Sequence, residues 1–208
     1  MKALKHLKTI LKHKFWVAKY CFKAGIPIQG IFHDLSKFSP IEFFESVKYY
    51  QGNRSPIDAC KEDKGYSMAW MHHKGRNPHH YEYWQDNFDK GGQALIMPYK
   101  YAVEMFCDYL GAGRAYSGKN FTYKGEKEWW KNKISNPIAM HPAIQNFISM
   151  CLDDLDYGDF EGTFKEMLQL NYKCAIDDFY ELEQAAEEYL NEEEFFENLE
   201  KEDEFIGN

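Results

Sequence analysis

No apolar run in the 208 residues approaches the ~18 needed to cross a bilayer, so no membrane partner is expected. The N-terminal stretch MKALKHLKTILKHKFW has neither the apolar centre nor the small-residue cleavage site of a signal peptide. It is rich in lysine but lacks the Arg and Ser of a transit peptide. The five cysteines, Cys21, Cys60, Cys107, Cys151 and Cys174, are odd in number, widely spaced and form no CxxC. That usage speaks for reduced, mostly buried thiols in a cytoplasmic protein. Valine and isoleucine are sparse and strict alternation is rare, which leaves little from which to build a sheet. GAGR at 111–114 is too short for a phosphate-binding fingerprint and follows no strand. No strong nucleic-acid signal is present either.

What is present suffices for one core: 44% of residues are apolar and 17% aromatic, against 28% charged. The net charge of −8 hides an asymmetry. Residues 1–135 carry 22 Lys and Arg against 13 Asp and Glu, a balance of +9, whereas residues 136–208 carry 3 against 20, a balance of −17. A basic body implies an anionic ligand, and an acidic tail is suited to cover or regulate the basic site. Simple charge complementarity between packed helices is the plainer alternative. One domain is expected over 1–190, centred on about 3–112, with a C-terminal helical extension. Residues 191–208, NEEEFFENLEKEDEFIGN, are expected to form an acidic, partly disordered tail.

The punctuation is helical almost throughout. Residues 3–24 place Leu4, Leu7, Ile10, Leu11, Val17, Ala18, Cys21 and Phe22 on one arc and lysines on the other, with His6 and His13 at its border. Gly25 ends this helix and Pro27 starts the next. Ser39-Pro40-Ile41-Glu42 and Ser55-Pro56-Ile57-Asp58 each read as a helix start. The first predicts a helix to about Gln51, the second a helix to about Lys74 with Gly65 a weak point inside it. Asn77-Pro78 is expected to open a short helix carrying HHYEYW, and Pro98 one that ends near Gly111 or Gly113. Residues 114–136 read as irregular apart from a short helix at Trp129 and Trp130, and further helices follow Pro142 and residue 163. The fold class is all-α.

Within GIFHDLSKFSP, residues 30–40, a histidine and an aspartate stand together among apolar residues that ask for burial. Buried ionisable groups cost several kcal/mol unless paired, hydrogen-bonded or bound to metal. His13 lies on the first helix, His33 and Asp34 follow the second, and Glu104 and Asp108 share one face of a later helix. Imidazoles and carboxylates converging from separate helices suit a divalent transition metal. A second group, MHHKGRNPHHYEYW, offers His72, His73, His79 and His80. Neighbours on a helix point ~100° apart, so one of each pair can face a given site. A histidine-lined turn that caps two helices and stacks on Tyr81, Tyr83 and Trp84 is the simpler account of the same residues.

HDLSK resembles the HDxGK core of the HD-domain superfamily of metal-dependent phosphohydrolases, with Ser36 at the glycine position and Lys37 retaining the base. The likeness spans roughly residues 10–112 and implies an all-α HD-domain-like bundle with additional C-terminal helices. It implies His13, His33, Asp34 and Asp108 as metal ligands. By likeness to two-metal members, His73 and His80 are added, with His72 and His79 as their alternates. HDLSKFSP, HHKGRNPHH and MPYKYAVEMFCDYLGAG together are similar to a bacterial and phage-associated HD-like family of unassigned function. The leading expectation is hydrolysis of a phosphorylated, nucleotide-like small molecule by a metal-activated water. One or two ions of Mn, Fe, Co, Zn or Mg would serve. Lys37 and Arg76 would offset phosphate charge, and Glu104 would move a proton. A di-iron oxygenase and a non-catalytic, metal-stabilised interaction module are the alternatives.

Overall fold

The computed structural model describes the backbone of residues 1–158 and 160–206 and the side chains up to residue 189. Among the described residues the chain is helical save for one small hairpin. The N-terminal half comprises α1 (Lys2–Lys23), α2 (Pro27–Phe32), a 3-10 turn (Leu35–Phe38), α3 (Pro40–Tyr49), α4 (Pro56–Lys64) and α5 (Met68–Lys74). A 3-10 turn at Tyr81–Tyr83 leads into antiparallel β1 (Gln85–Asp86) and β2 (Gln93–Ala94), paired Gln85 to Ala94 and Asp86 to Gln93. Then come α6 (Tyr99–Ser117), α7 (Tyr123–Ile134), α8 (Pro142–Tyr157) and α9 (Phe164–Ile206). The expected tail over 191–208 falls where side chains lie outside the described residues. No described helix is long and apolar enough to cross a membrane.

Helix α6 is the axis of the molecule. One flank packs along α1, and Phe106 lies against Phe147 of α8 at 6.1 Å between ring centroids, in one buried cluster with Leu110, Ile148 of α8 and Leu168 of α9. Trp130 of α7 closes this core and donates from Nε1 to Ser149 Oγ at 2.8 Å. The apolar contact is close enough at two places to demand glycine. A Cβ on Gly111 of α6 would sit 2.4 Å from Val17 Cγ2, and one on Gly30 of α2 would sit 2.7 Å from Cys21 Cβ. These two glycines let α6 and α2 approach α1, the helix that carries His13, closely at Val17 and at Ala18 and Cys21. Four of the five thiols are buried and all are free.

Several boundaries differ from the sequence expectation, each for a local reason. The expected helix over 56–74 is two helices, because Gly65 adopts φ 79° and Ser67 caps α5 by accepting from Trp70 N at 3.0 Å. Ser39 and Ser55 precede α3 and α4 as expected, but neither side chain makes the cap bond. Gly111 and Gly113 do not stop α6; they serve close helix approach, and the helix continues to Ser117. Residues 123–134, expected to be largely irregular, form a full helix capped by Thr122. On α1 the buried seam runs through His6, Ile10, His13, Val17 and Tyr20, so the histidines lie in the seam, and Leu4, Leu11 and Phe22 are exposed. Ile31, Phe32, Leu35 and Phe38 are likewise exposed, while His33 and Asp34 between them are 1% exposed.

Candidate metal centre

The inversion at His33 and Asp34 begins with the backbone. Helix α2 ends at Phe32, His33 turns out of helical geometry at ψ 129°, and Asp34 adopts the left-handed region at φ 56° and ψ 29°. Few residues other than glycine accept that region, and aspartate is among those that do. The reversal aims both polar side chains into the protein and the neighbouring apolar ones outward. Lys14 donates its ammonium to the His33 carbonyl, fixing the turn to α1.

Around this turn, donors arrive from three directions. His13 Nε2 lies 3.0 Å from Asp108 Oδ1 and 3.5 Å from Asp34 Oδ2. His33 Nε2 lies 3.2 Å from Asp34 Oδ2, 3.3 Å from Asp108 Oδ1 and 3.4 Å from His13 Nε2. An ion ~2.0–2.2 Å from each donor, with ligand angles between tetrahedral and octahedral, requires donors roughly 2.9–3.6 Å apart. All five separations fall in that range. Although Lys37 Nζ lies 2.5 Å from Asp34 Oδ2, neither carboxylate oxygen of Asp34 has a partner of hydrogen-bonding geometry. A fully buried carboxylate with one lysine beside Oδ2 and no hydrogen-bond partner at Oδ1 is a demand that a cation meets. The four residues therefore fit a divalent ion.

The other oxygen of Asp34 faces a second set. Asp34 Oδ1 is 3.2 Å from His73 Nε2 and 3.4 Å from His79 Nε2, and His80 completes a group whose donor atoms lie within 4.8 Å of one another. His79 Nε2 and His80 Nε2 are buried without hydrogen-bond partners. One carboxylate thus touches both donor groups.

Behind these ligands stands a layer of carboxylates. Glu104 Oε1 accepts from His33 Nδ1 at 3.0 Å and from His79 Nδ1 at 3.2 Å. Glu42 accepts from His73 Nδ1 at 2.8 Å and from His72 Nδ1 at 2.6 Å. For His33, His79 and His73 the bond places a proton on Nδ1 and aims Nε2 at Asp34, which is how an outer carboxylate orients a metal-binding imidazole.

The electrostatics follow from burial against pairing. Burial pushes the Asp34 carboxyl up, but His33, Lys37 and His73 outweigh it and hold the group well below the usual carboxylate range. Asp108 is pushed up by burial and pulled further down by hydrogen bonds from His13 and His33. Burial lowers His33, yet the charge of Asp34 and the adjacent carboxylates of Asp108 and Glu104 raise it well above its ordinary value. His73 is raised against its burial by Asp34 and Glu42 in the same way. His80 goes the other way, pushed down by burial and then by His79 and His73, so it stands neutral with a free lone pair.

The structure brings together His13, His33, Asp34, Asp108, His73, His79 and His80. The rule of one histidine from each pair holds at α5, where His73 faces in and His72 rests on Glu42 at the rim. It fails at 79–80, because these residues form a turn rather than the expected helix, and both rings face the site. Glu104 lies behind the ligands, where its Oε1 orients the imidazoles of His33 and His79, and it is not among the residues that line the cavity. Arg76 is exposed and its Nη1 donates to the His72 carbonyl at 3.4 Å. The inward residue of that loop is Asn77, which donates to the His73 carbonyl at 2.7 Å and to Ser36 Oγ at 2.9 Å. Sequence reasoning missed Glu42 and Asn77. Glu42 carried one signal, an acid in the first turn of α3, and that signal reads equally as a capping residue.

The donors open onto a cavity of about 260 Å³ between α1, α3, α4, α5 and α6. His13, His73, His80, Asp108 and Lys37 form its polar floor, and Trp70 and Tyr109 are among its walls. An all-α bundle with a carboxylate shared between two histidine-rich donor groups at the base of a cleft defines a candidate metalloprotein. The chain belongs to the family described as "Family of unknown function (DUF5662)", whose model matches residues 2–154 and so covers every donor named above. Comparison with the curated proteins and with the solved structures gives no match.

Proposed function

We propose that the protein is a metal-dependent phosphohydrolase acting on a nucleotide-like phosphate ester. The observation that carries this reading is the buried Asp34, with Oδ2 among His13, His33 and Asp108 and Oδ1 against His73 and His79, beneath a cavity that His13, His73 and Asp108 line. The resemblance of HDLSK to the HD-domain core, with the same four residues in the first donor set, supports it. A divalent ion held there supplies a Lewis acid and lowers the pKa of a bound water. Lys37, whose burial is outweighed by the Asp34 charge so that it stays protonated, offsets negative charge on a phosphoryl oxygen. Glu104 and Glu42 hold the imidazoles in one tautomer throughout. The apolar walls exclude bulk water and strengthen each of these interactions.

The test is metal analysis and an optical spectrum of protein purified without added metal, followed by a phosphatase screen over nucleotides with Asp108→Asn as control. Stoichiometric metal and hydrolysis that Asp108→Asn abolishes are expected. Metal-loaded protein inert toward every phosphate ester would overturn the reading. The imidazole-rich second group favours one competitor, a di-iron oxygenase, which two irons per chain and a charge-transfer band would identify.

A further inference from the structure

The cavity over the donor groups continues past its own wall. Ser55, Tyr109, Ala112 and Tyr116 line both it and an outer cavity of about 530 Å³. The far side of the outer cavity is the first turns of α7, which present Glu126 and Trp129. Glu126 reaches it across Gly113 of α6, where any Cβ would lie 1.8 Å from Glu126 Oε1. A glycine on α6 thus keeps open the place that the Glu126 carboxylate occupies.

That carboxylate makes no hydrogen bond and no ion pair among the described residues, although basic groups are near in sequence and space. Lys127 is engaged by Asp153 and Asp156, and Arg54, which also lines the cavity, is engaged at both terminal nitrogens by Glu62. Burial without a partner pushes the Glu126 carboxyl up to about 7. A partly buried, unpaired carboxyl works against folding, so its presence at the wall of a cavity points to a ligand with donors. Asp58 is the other acidic group on the lining, which disfavours a phosphate there. The walls suit a flat ring: Tyr109 and Trp129 stand edge to face at 5.2 Å between centroids, and Trp129 is 44% exposed.

We infer that the outer cavity binds the ring of the substrate, a nucleobase with adjacent N–H donors of the guanine type, and that Glu126 is the residue that selects it. The ring stacks on Trp129, with Tyr109 bounding the pocket beside it, and its two neighbouring N–H groups donate to the Glu126 carboxylate. The inference rests on the phosphate-ester reading of the inner cavity, since it places the phosphate end at the metal donors and the base beyond Tyr109.

Guanosine and uridine test it, because neither carries a phosphate ester and both report the outer cavity alone. Calorimetric titration of the full chain at pH 8 should show guanosine binding at least tenfold more tightly than uridine. Glu126→Gln should bring the two within about threefold while leaving uridine unchanged, and Trp129→Ala should weaken both. Thermal melting of each variant confirms that it is folded. Equal affinity for the two nucleosides, or a guanosine preference that survives Glu126→Gln, overturns the inference. A Glu126-dependent preference in a protein that hydrolyses no phosphate ester would uphold this pocket and overturn the reading of the inner one.

Discussion

Gly111→Ala should damage the candidate metal centre without touching it. The added Cβ would lie 2.4 Å from Val17 Cγ2 and 3.0 Å from the Val17 backbone nitrogen, whereas ordinary contact begins at 3.4 Å. Val17 is β-branched and fully buried, so it has no rotamer to retreat into. Helices α1 and α6 must therefore separate by about 1 Å, the difference between those contacts. His13 lies one turn from Val17 on α1, and Asp108 one turn from Gly111 on α6. A separation of that size takes the 3.0 Å between His13 and Asp108 toward roughly 4 Å, beyond what one ion spans at ordinary ligand angles. Overpacking costs about 1–3 kcal/mol, offset by up to ~1 kcal/mol for replacing glycine within a helix. The expected result is a net loss of about 1–2 kcal/mol in urea denaturation and a drop in Mn(II) affinity of tenfold or more. Adding Val17→Ala should relieve the side-chain clash and leave the backbone one, so a double-mutant cycle should show favourable coupling. Unchanged stability and unchanged metal affinity in Gly111→Ala would refute the reasoning that this glycine sets the ligand spacing.

Asp34→Asn keeps a side chain that accepts the left-handed region and removes the charge, so bound metal should fall well below one per chain with the circular dichroism of the helices intact; Asp34→Ala should lose about 1–2 kcal/mol more from the backbone alone. Glu104→Gln keeps an oxygen that can accept from both Nδ1 groups but removes the charge that strengthens both bonds, and should weaken metal binding by about 10–100-fold while uridine binding in the outer cavity stays the same. Glu126→Gln should stabilise the fold above pH 7 by about 1–2 kcal/mol, allowing for partial exposure, because the raised carboxyl disfavours folding once ionised. That gain should vanish toward pH 4, and an identical difference in denaturation midpoint at pH 4 and pH 8 would refute it.

Much of this fold was legible. Pro27, Pro40, Pro56 and Pro142 mark four helix starts because a proline at the first position loses no hydrogen bond there. His13, His33, Asp34 and Asp108 were legible as a set through the likeness of HDLSK to the HD-domain core, and ionisable residues in apolar surroundings need a reason to be buried. What escaped depends on tertiary contact. The seam of α1 could not be centred on His6 and His13 without knowing that Gly111 and Gly30 bring α6 and α2 close to it at Val17, Ala18 and Cys21. The apolar run around His33 misled, since one left-handed residue exchanges the inner and outer faces of the segment. Glu42, some 30 positions before its histidines, becomes a ligand-orienting group only when α3 packs on α5.

The charge balance of the centre makes a prediction about protons. Asp34, Asp108, Glu104 and Glu42 are all held below their ordinary values, and without a cation their charge is met by Lys37 and by protons on His33 and His73. The carboxylates contribute stability that is present above about pH 4–4.5 and lost as pH falls through their lowered values. The two imidazoles contribute stability that is fully present below about 6.5 and lost as pH rises through their raised values. These four carboxylates and two imidazoles together favour metal-free protein between about pH 4.5 and 6.5, an effect opposed below about 6.5 by His80 and His6, which burial holds neutral. A divalent ion needs both Nε2 lone pairs, so it must displace those protons, and its affinity should rise up to tenfold per pH unit for each proton released. Mn(II) should then raise Tm little at pH 5.5 and strongly at pH 8, and calorimetry in buffers of different ionisation enthalpy should count one to two protons released per chain. The same Tm increment at both pH values, with no proton release, would mean that Mn(II) binds away from His33 and His73.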